Sequence, residues 1–557
     1  MKSLSMNSCC RAGGPVAALL LAVAGLGQDS TAQTILRQWS GTNQTFPYGD
    51  AFGSAFAGVG DVNGDGVPDV AVGALGTNSG SVQSAGRLYV FSGSTGNTLF
   101  TLDGSVANEG LAGRVEAAGD MDRDGHADIL VRSDVLPGAG GFHLVSGLTG
   151  TIIRSYADRV SAAGVGDVDS DGWPDLLFGG FTRLMGWPPV DAGFAEVISG
   201  QTGAVIRSYA GTYPMQLFGW MVESAGDVDA DGVPDLLIGA SGLYPFTASD
   251  GIWVYSGATG GLLFRRPPQG ATDSFPWVIA GVGDVNGDGF DDVATGDLGV
   301  RQANNYSEVV VFGGPNGAPV LTVPGVNQII GFDVAGPGDV DGDGFEDVLT
   351  QGLADPGPHG VVELLSGQTQ SVLVSLVAGG PCAELGDVNG DDFPDYLVGG
   401  FWGTTGLNAV RAYSGAPAGV TTAGQGCADS RGVVPRIGCT YVPARGSQFA
   451  LNLSRVRSAV PVFLALGLSN TTWNNVALPF DLSAFGMPGC FLRVSPDVTR
   501  FTMTTGPAGK GRAALPMPIP NDPTLTGLNV YAQWLVFEPS GTAQFASTTR
   551  ALTVTIQ

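Results

Sequence analysis

A chain of 557 residues in which only 14% are charged, with 89 glycines and 34 prolines, exceeds one ordinary hydrophobic core and is too rich in turn formers for a helical bundle. Its 25 basic residues against 51 acidic ones leave a formal charge of −26, and no basic run offers a phosphate backbone an electrostatic footprint, which excludes nucleic acid as a partner. Acidity of this size goes with a solubilising surface or with cation sites, and the two differ in where the carboxylates lie.

Residues 1–32 read as a secretory signal. Lys2 and Arg11 precede the apolar run from Val16 to Leu26, and Ser30, Thr31 and Ala32 supply small residues before a cut at Gln33. That run is too short to span a bilayer and no other is longer, so no membrane span is expected and the chain should be secreted or held at the cell surface. Cys9 and Cys10 would leave with the signal. Cys382, Cys427, Cys439 and Cys490 then allow three complete pairings in an oxidising compartment, with Cys427 to Cys439 favoured because it closes a short local loop. His126, His143 and His359 share no motif, and no Cys/His spacing suggests zinc.

From residue 33 to 415 the chain is organised by a nine-residue acidic pattern that recurs seven times, beginning at Asp61, Asp120, Asp167, Asp227, Asp284, Asp339 and Asp387. Spacings run from 47 residues (Asp120 to Asp167) to 60 (Asp167 to Asp227), the length of a four-stranded propeller blade. A Gly-rich semi-apolar run leads into each loop, and a short apolar run such as VAVGA, LLFGG or LLIGA follows it. A third run ending near Gly comes next, such as RLYVFSG or IWVYSG, then a tight turn and a fourth run. Each repeat therefore predicts strand, acidic loop, strand, long loop, strand, turn, strand. The seventh unit ends at AVRAYSG without a clear fourth strand, while TILRQWSG (Thr34 to Gly41) precedes the first unit and looks like the missing one. Lending it to the last blade would close the ring and remove an exposed sheet edge. The expected fold is all-β: a seven-bladed β-propeller closed by an N-terminal strand, a linker at 416–426 and a small β-sandwich at 427–557.

The loops carry the chemistry. Positions 1, 3 and 5 offer side-chain oxygens, position 7 a backbone carbonyl, and the Asp at position 9 closes the site, a set that suits the six to eight oxygen ligands of calcium. The candidate ligands are Asp61, Asn63, Asp65, Val67 and Asp69; Asp120, Asp122, Asp124, His126 and Asp128; Asp167, Asp169, Asp171, Trp173 and Asp175; Asp227, Asp229, Asp231, Val233 and Asp235; Asp284, Asn286, Asp288, Phe290 and Asp292; Asp339, Asp341, Asp343, Phe345 and Asp347; and Asp387, Asn389, Asp391, Phe393 and Asp395. An Asp-Gly turn without metal needs one acid and one glycine, whereas here 25 of the 51 acidic residues occupy positions 1, 3, 5 and 9. That many close carboxylates repel unless a cation lies among them. A helical calcium loop would need an acid at position 12, where this chain has Val72, Val131, Phe178, Ile238, Thr295, Thr350 or Val398. Up to seven calcium ions are the expected cofactors.

With these loops and their flanks, residues 34–415 resemble the FG-GAP repeats of integrin α-subunit propellers and related bacterial secreted proteins. FG stands at Phe52–Gly53 and Phe218–Gly219, and a GA or GG follows the loop at Gly73, Gly179, Gly239 and Gly399. The resemblance implies a seven-bladed propeller with calcium between the first two strands of each blade. Asp392 stands where the loop expects Gly, which predicts the weakest site in the seventh loop.

Acidic loops would lie on one face and the two-to-three and four-to-one connections on the other. The second face carries aromatics: Phe181, Trp187, Tyr244, Phe246, Phe401 and Trp402, with Tyr213, Trp220, Phe275 and Trp277 in or beside four-to-one connections. The leading expectation is a non-catalytic adhesion or ligand-binding propeller that takes an extracellular protein or polysaccharide. Its alternatives are an extracellular polysaccharide lyase or hydrolase on the same scaffold and a structural envelope component. No GxSxG or HExxH motif supports catalysis.

Overall fold

The structure, a computed structural model, describes residues 33–41, 49–135, 140–180, 192–213, 216–240, 250–268, 275–298, 307–325, 328–354, 360–402, 407–485, 487–537 and 545–557. The signal-like segment 1–32 lies outside them, as do Phe181, Trp187, Tyr244 and Phe246.

Among the described residues the chain is all-β, with seven four-stranded antiparallel sheets of the kind that build β-propellers. The first sheet joins Phe52–Gly60, Asp69–Ala74, Arg87–Phe91 and Thr98–Asp103 in sequence order. Sheets two to six repeat that order, with first strands at Val115–Gly119, Ser161–Gly166, Phe218–Gly226, Val278–Gly283 and Gln328–Gly338. The seventh sheet joins Cys382–Gly386, Asp395–Trp402 and Leu407–Tyr413 to Ile35–Ser40, with Gln38 opposite Arg411 and Trp39 opposite Val410.

Sequence pattern explains which strand lies where. The second strands are near-continuous apolar runs, and Asp175–Gly180 and Asp235–Ala240 are buried at every residue. Each fully buried Leu or Ile there contributes about 1.5–3 kcal/mol. Fourth strands such as Thr98–Asp103 alternate between exposed and half-buried residues, as a rim strand with one solvated face requires.

Neighbouring sheets share hydrophobic clusters. Ala118, Leu130 and Phe142 of sheet two meet Ala162, Leu176 and Phe178 of sheet three, and Leu397 and Val410 of sheet seven meet Phe52 and Val70 of sheet one. Trp39 stacks on Phe91 at 5.4 Å in that last cluster. The glycines of the FG and GG signatures have a packing reason: a Cβ at Gly179 would stand 1.9 Å from the carbonyl oxygen of Gly219, so the two backbones meet without side chains.

Among the described residues two larger sheets follow the repeats, besides the short pairs Thr472–Trp473 with Val476–Ala477 and Phe480–Asp481 with Phe491–Leu492. One orders Val420–Ala423, Ala551–Thr555, Asn529–Phe537, Pro461–Gly467 and Val498–Met503, with Phe545–Thr548 beside Asn529–Phe537. The other joins Arg436–Thr440, Gln448–Val456 and Gly511–Pro518. Both contribute to one core around the wholly buried Trp534, with Leu451, Leu453, Val462 and Val554. Of the segment 416–426 read as a linker, Val420–Ala423 is a strand of this unit, paired with Ala551–Thr555.

The favoured cysteine pairing needs correction: Cys427 is bonded to Cys490, and Cys382 and Cys439 are free and buried. Cys439 lies on the three-stranded sheet, in the core around Trp534, whereas Cys427 and Cys490 share a second cluster with Leu478, Met487 and Leu535. Proximity along the chain did not become proximity in space.

Candidate metal centres on the acidic loops

Each acidic loop is wound by its own side chains. In the third, Asp167 accepts at Oδ1 from the Asp171 amide (3.1 Å) and at Oδ2 from the Gly172 amide (2.8 Å). Asp169 accepts from Asp171 N–H (3.1 Å) and Asp171 from Trp173 N–H (2.8 Å). These bonds turn the oxygens of positions 1, 3 and 5 toward the inside of the loop. Position 6 needs a left-handed backbone, which Gly172 adopts at φ 86° and Asp392 shares at φ 71°.

Position 9 does more than close the loop. In all seven copies its Oδ2 accepts from the amide of position 2, and its Oδ1 from the glycine amide just after the third strand, at 2.7–3.1 Å. One wholly buried carboxylate thus ties the acidic loop to the turn that leads into the fourth strand. Burial, against these amide bonds, pushes Asp69, Asp128, Asp175 and Asp235 up to about 6, Asp292 up to about 7 and Asp395 up to about 8. The glycine partners, among them Gly93, Gly147 and Gly200, were not singled out from sequence as part of the loop.

Four loops bring three carboxylate oxygens within 4.8 Å of one another: Asp120, Asp122 and Asp128; Asp167, Asp169 and Asp175; Asp227, Asp229 and Asp231; and Asp339, Asp341 and Asp347. Loops one, five and seven carry Asn63, Asn286 and Asn389 at position 3, which exchange one acid for an amide oxygen. Side chains at position 7 serve the neighbourhood instead: His126 Nδ1 lies 2.8 Å from the Val62 carbonyl oxygen in loop one, and Trp173 lies under the Arg123 guanidinium of loop two at 4.6 Å.

A hard divalent cation fits this donor set. All side-chain donors at positions 1, 3, 5 and 9 are oxygens, and Asp284 Oδ1, Asp339 Oδ1, Asp341 Oδ2 and Asp343 Oδ2 are buried without a hydrogen-bond partner. In loop six, burial first and mutual repulsion second push Asp341, Asp343 and Asp347 upward.

Loops one to four reach solvent through Asp65, Asp124, Asp171 and Asp231, whereas the C-terminal sheets sit on loops five to seven. Lys510 Nζ pairs with Asp284 at 3.0 Å, Arg436 Nη1 with Asp339 at 3.2 Å and Arg550 Nε with Asp392 at 2.7 Å. The departure at Asp392 is therefore a docking contact. Phe393 belongs to the core of the C-terminal sheets.

A second acidic group lies on the first strands: Glu116, Glu223, Asp333 and Glu384 fall within one another's field, beside Arg114. Water reaches them, Glu384 most, yet protein surrounds them closely enough that desolvation pushes Glu116 and Glu223 upward and Asp333 up to about 6. A carboxyl whose pKa rises on folding contributes stability that is complete below its unfolded pKa and is lost as pH climbs through the folded value. Glu223→Gln should therefore leave the melting temperature unchanged at pH 4 and raise it by a few degrees at pH 8, as read by calorimetry.

The FG-GAP repeat family matches residues 52–91, which run from the first strand of sheet one through its acidic loop to the third. Integrin alpha-3 of Cricetulus griseus is 27% identical over 171 residues, 27% of this chain and 15% of that protein. Integrin alpha-6 of Gallus gallus is 29% identical over 155 residues, 24% of this chain and 13% of that protein. Phosphatidylinositol-glycan-specific phospholipase D of Rattus norvegicus is 36% identical over 107 residues, 18% and 12% of the two chains. The match thus spans less than a sixth of each relative. A solved structure of BBS1N in complex with ARL6DN superposes on 69% of this chain and 97% of its own with a TM-score of 0.42 and 9% identity. The chain thus carries an FG-GAP repeat at residues 52–91 and is integrin-α-like over about a quarter of its length.

Proposed function

We propose that the seven sheets are the blades of one propeller closed by Ile35–Ser40, that its acidic loops hold calcium, and that the chain is a non-catalytic adhesion or ligand-binding module, secreted or held at the cell surface. Ring closure is supported by the first strands, which touch in cyclic order from sheet one through seven and back to one. It is supported again by the position-8 residues: each lies against the glycine ending the first strand of the preceding sheet, down to Pro68 of sheet one against Gly386 of sheet seven. Similarity to integrin α chains supports a recognition role. Among the described residues no helix is long and apolar enough to cross a membrane.

The observation that carries the recognition reading is the aromatic surface opposite the acidic loops. Tyr213 is 60% exposed, with Trp220 at 37% and Trp277 at 38%, where the chain enters sheets four and five; Phe275 is buried. Flat aromatic faces stack on sugars or anchor a protein partner.

Arrays of polysaccharides and extracellular matrix proteins, probed with the intact chain in calcium, test this reading. Tyr213→Ala with Trp277→Ala should weaken the captured interaction by about tenfold or more and leave the melting temperature unchanged. Full binding by the double variant would remove the aromatic face from the proposal, and cleavage of a captured polysaccharide would replace it with an enzyme.

A further inference from the structure

The sixth loop differs in kind from the exposed ones. Asp339, Asp341, Asp343 and Asp347 are 8%, 3%, 3% and 0% exposed, while Asp122 and Asp124 of loop two are open to solvent. The cover is the strand Arg436–Thr440 together with Gln448–Val456, whose Asn452 donates through Nδ2 to the Asp341 carbonyl oxygen at 3.3 Å. Backbones meet directly here, because a Cβ at Gly438 would stand 2.3 Å from that same carbonyl oxygen.

Charge does not balance in this enclosure. Arg436 reaches Asp339 with Nη1 at 3.2 Å, but its Nε and Nη2 are buried without partners, as are Asp339 Oδ1, Asp341 Oδ2 and Asp343 Oδ2. With Arg512, which donates to the Gly344 carbonyl oxygen at 3.2 Å and lies within the field of Asp339 and Asp343, two guanidinium groups face four carboxylates at this depth, and buried carboxylates stay ionised only beside matching positive charge. Three of the four already bring oxygens within 4.8 Å of one another, the arrangement an oxygen-seeking dication takes.

We propose that loop six holds a divalent cation sealed between the repeat sheets and the C-terminal sheets, so that retention of the ion and seating of the C-terminal sheets are linked. This rests on the reading of the acidic loops as cation sites. Linkage is reciprocal: an ion that favours the docked state is itself held more tightly by docking. Its escape then requires a local opening of the interface, while ions in loops one to four, and in loops five and seven, which stay open at Asp288 and Asn389, exchange with solvent directly.

The test uses the full chain loaded with calcium. Bound metal is counted, release into a chromophoric chelator is timed, and hydrogen exchange is followed at residues 436–456. The expected result is a fast phase and a single slow phase of about one ion per chain, slower by about tenfold or more, with exchange at 436–456 rising as the slow ion leaves. Gly438→Ala, which wedges the interface and alters no carboxylate, should convert the slow phase to fast. Asp169→Asn in loop three should reduce the fast phase alone. Bound calcium released in one fast phase, or unchanged exchange at 436–456 after complete removal, overturns the sealed site and leaves the exposed loops standing. A metal count of zero overturns the cation reading of all the loops together. Wild-type protein decides these outcomes even where a variant fails to fold.

Discussion

Asp175→Ala should destabilise the chain by about 3–5 kcal/mol in denaturant unfolding, with or without calcium, whereas Asp171→Ala should cost little in chelator and weaken only the stabilisation that calcium adds. The two residues share a loop and a charge, and their surroundings differ. Asp175 is wholly buried and accepts from Val168 N–H and Gly200 N–H, both at 3.0 Å. Alanine would leave two amides without acceptors in the apolar layer between the second and third strands. Asp171 is exposed and accepts one amide, from Trp173. Asp175→Asn should fall between wild type and Asp175→Ala, because an amide offers one acceptor oxygen and turns a donor toward the second amide. Equal losses for Asp171→Ala and Asp175→Ala in chelator would show that Asp175 is no structural tie beyond its place in the carboxylate trio.

Excess chelator should lower the melting temperature of the intact chain by on the order of 10 °C or more, alongside a count of several calcium ions per chain in its absence. A site that binds only the folded state adds about 2.7 kcal/mol at a hundredfold excess over its dissociation constant, and four carboxylate trios add such terms together. No bound metal and no change on chelation would reduce the loops to turns tied by their position-9 carboxylates. Those ties would survive, since they consist of hydrogen bonds already made.

Much of the repeat region was legible because its signals are local. The nine-residue acidic pattern, the Gly-bounded apolar runs and the turn before each fourth strand all arise within a few residues, and the sheets follow them in order. Even the pairing of Ile35–Ser40 with Leu407–Tyr413 could be anticipated, since the seventh unit lacked a partner and TILRQWSG had none. Less was legible after residue 426. Gly511–Pro518 forms a strand despite Pro516 and Pro518 because, beyond the Thr505–Arg512 bridge at its start, it pairs only with Gln448–Val456, and an edge there tolerates a missing amide.

The amino-acid sequence by itself determined the all-β class, the number of acidic loops, the oxygen character of their donors and the FG-GAP frame, because each is written in residue types at fixed short spacings. Only the tertiary structure decided that position 9 is a tie to a distant glycine, that Cys427 pairs with Cys490, and that loops five to seven lie beneath the C-terminal sheets. These are contacts between residues about 20 to more than 200 positions apart, such as Asp175 with Gly200 or Asp284 with Lys510. Local periodicity carries no information about such pairs, and the packing of whole sheets is what brings them together.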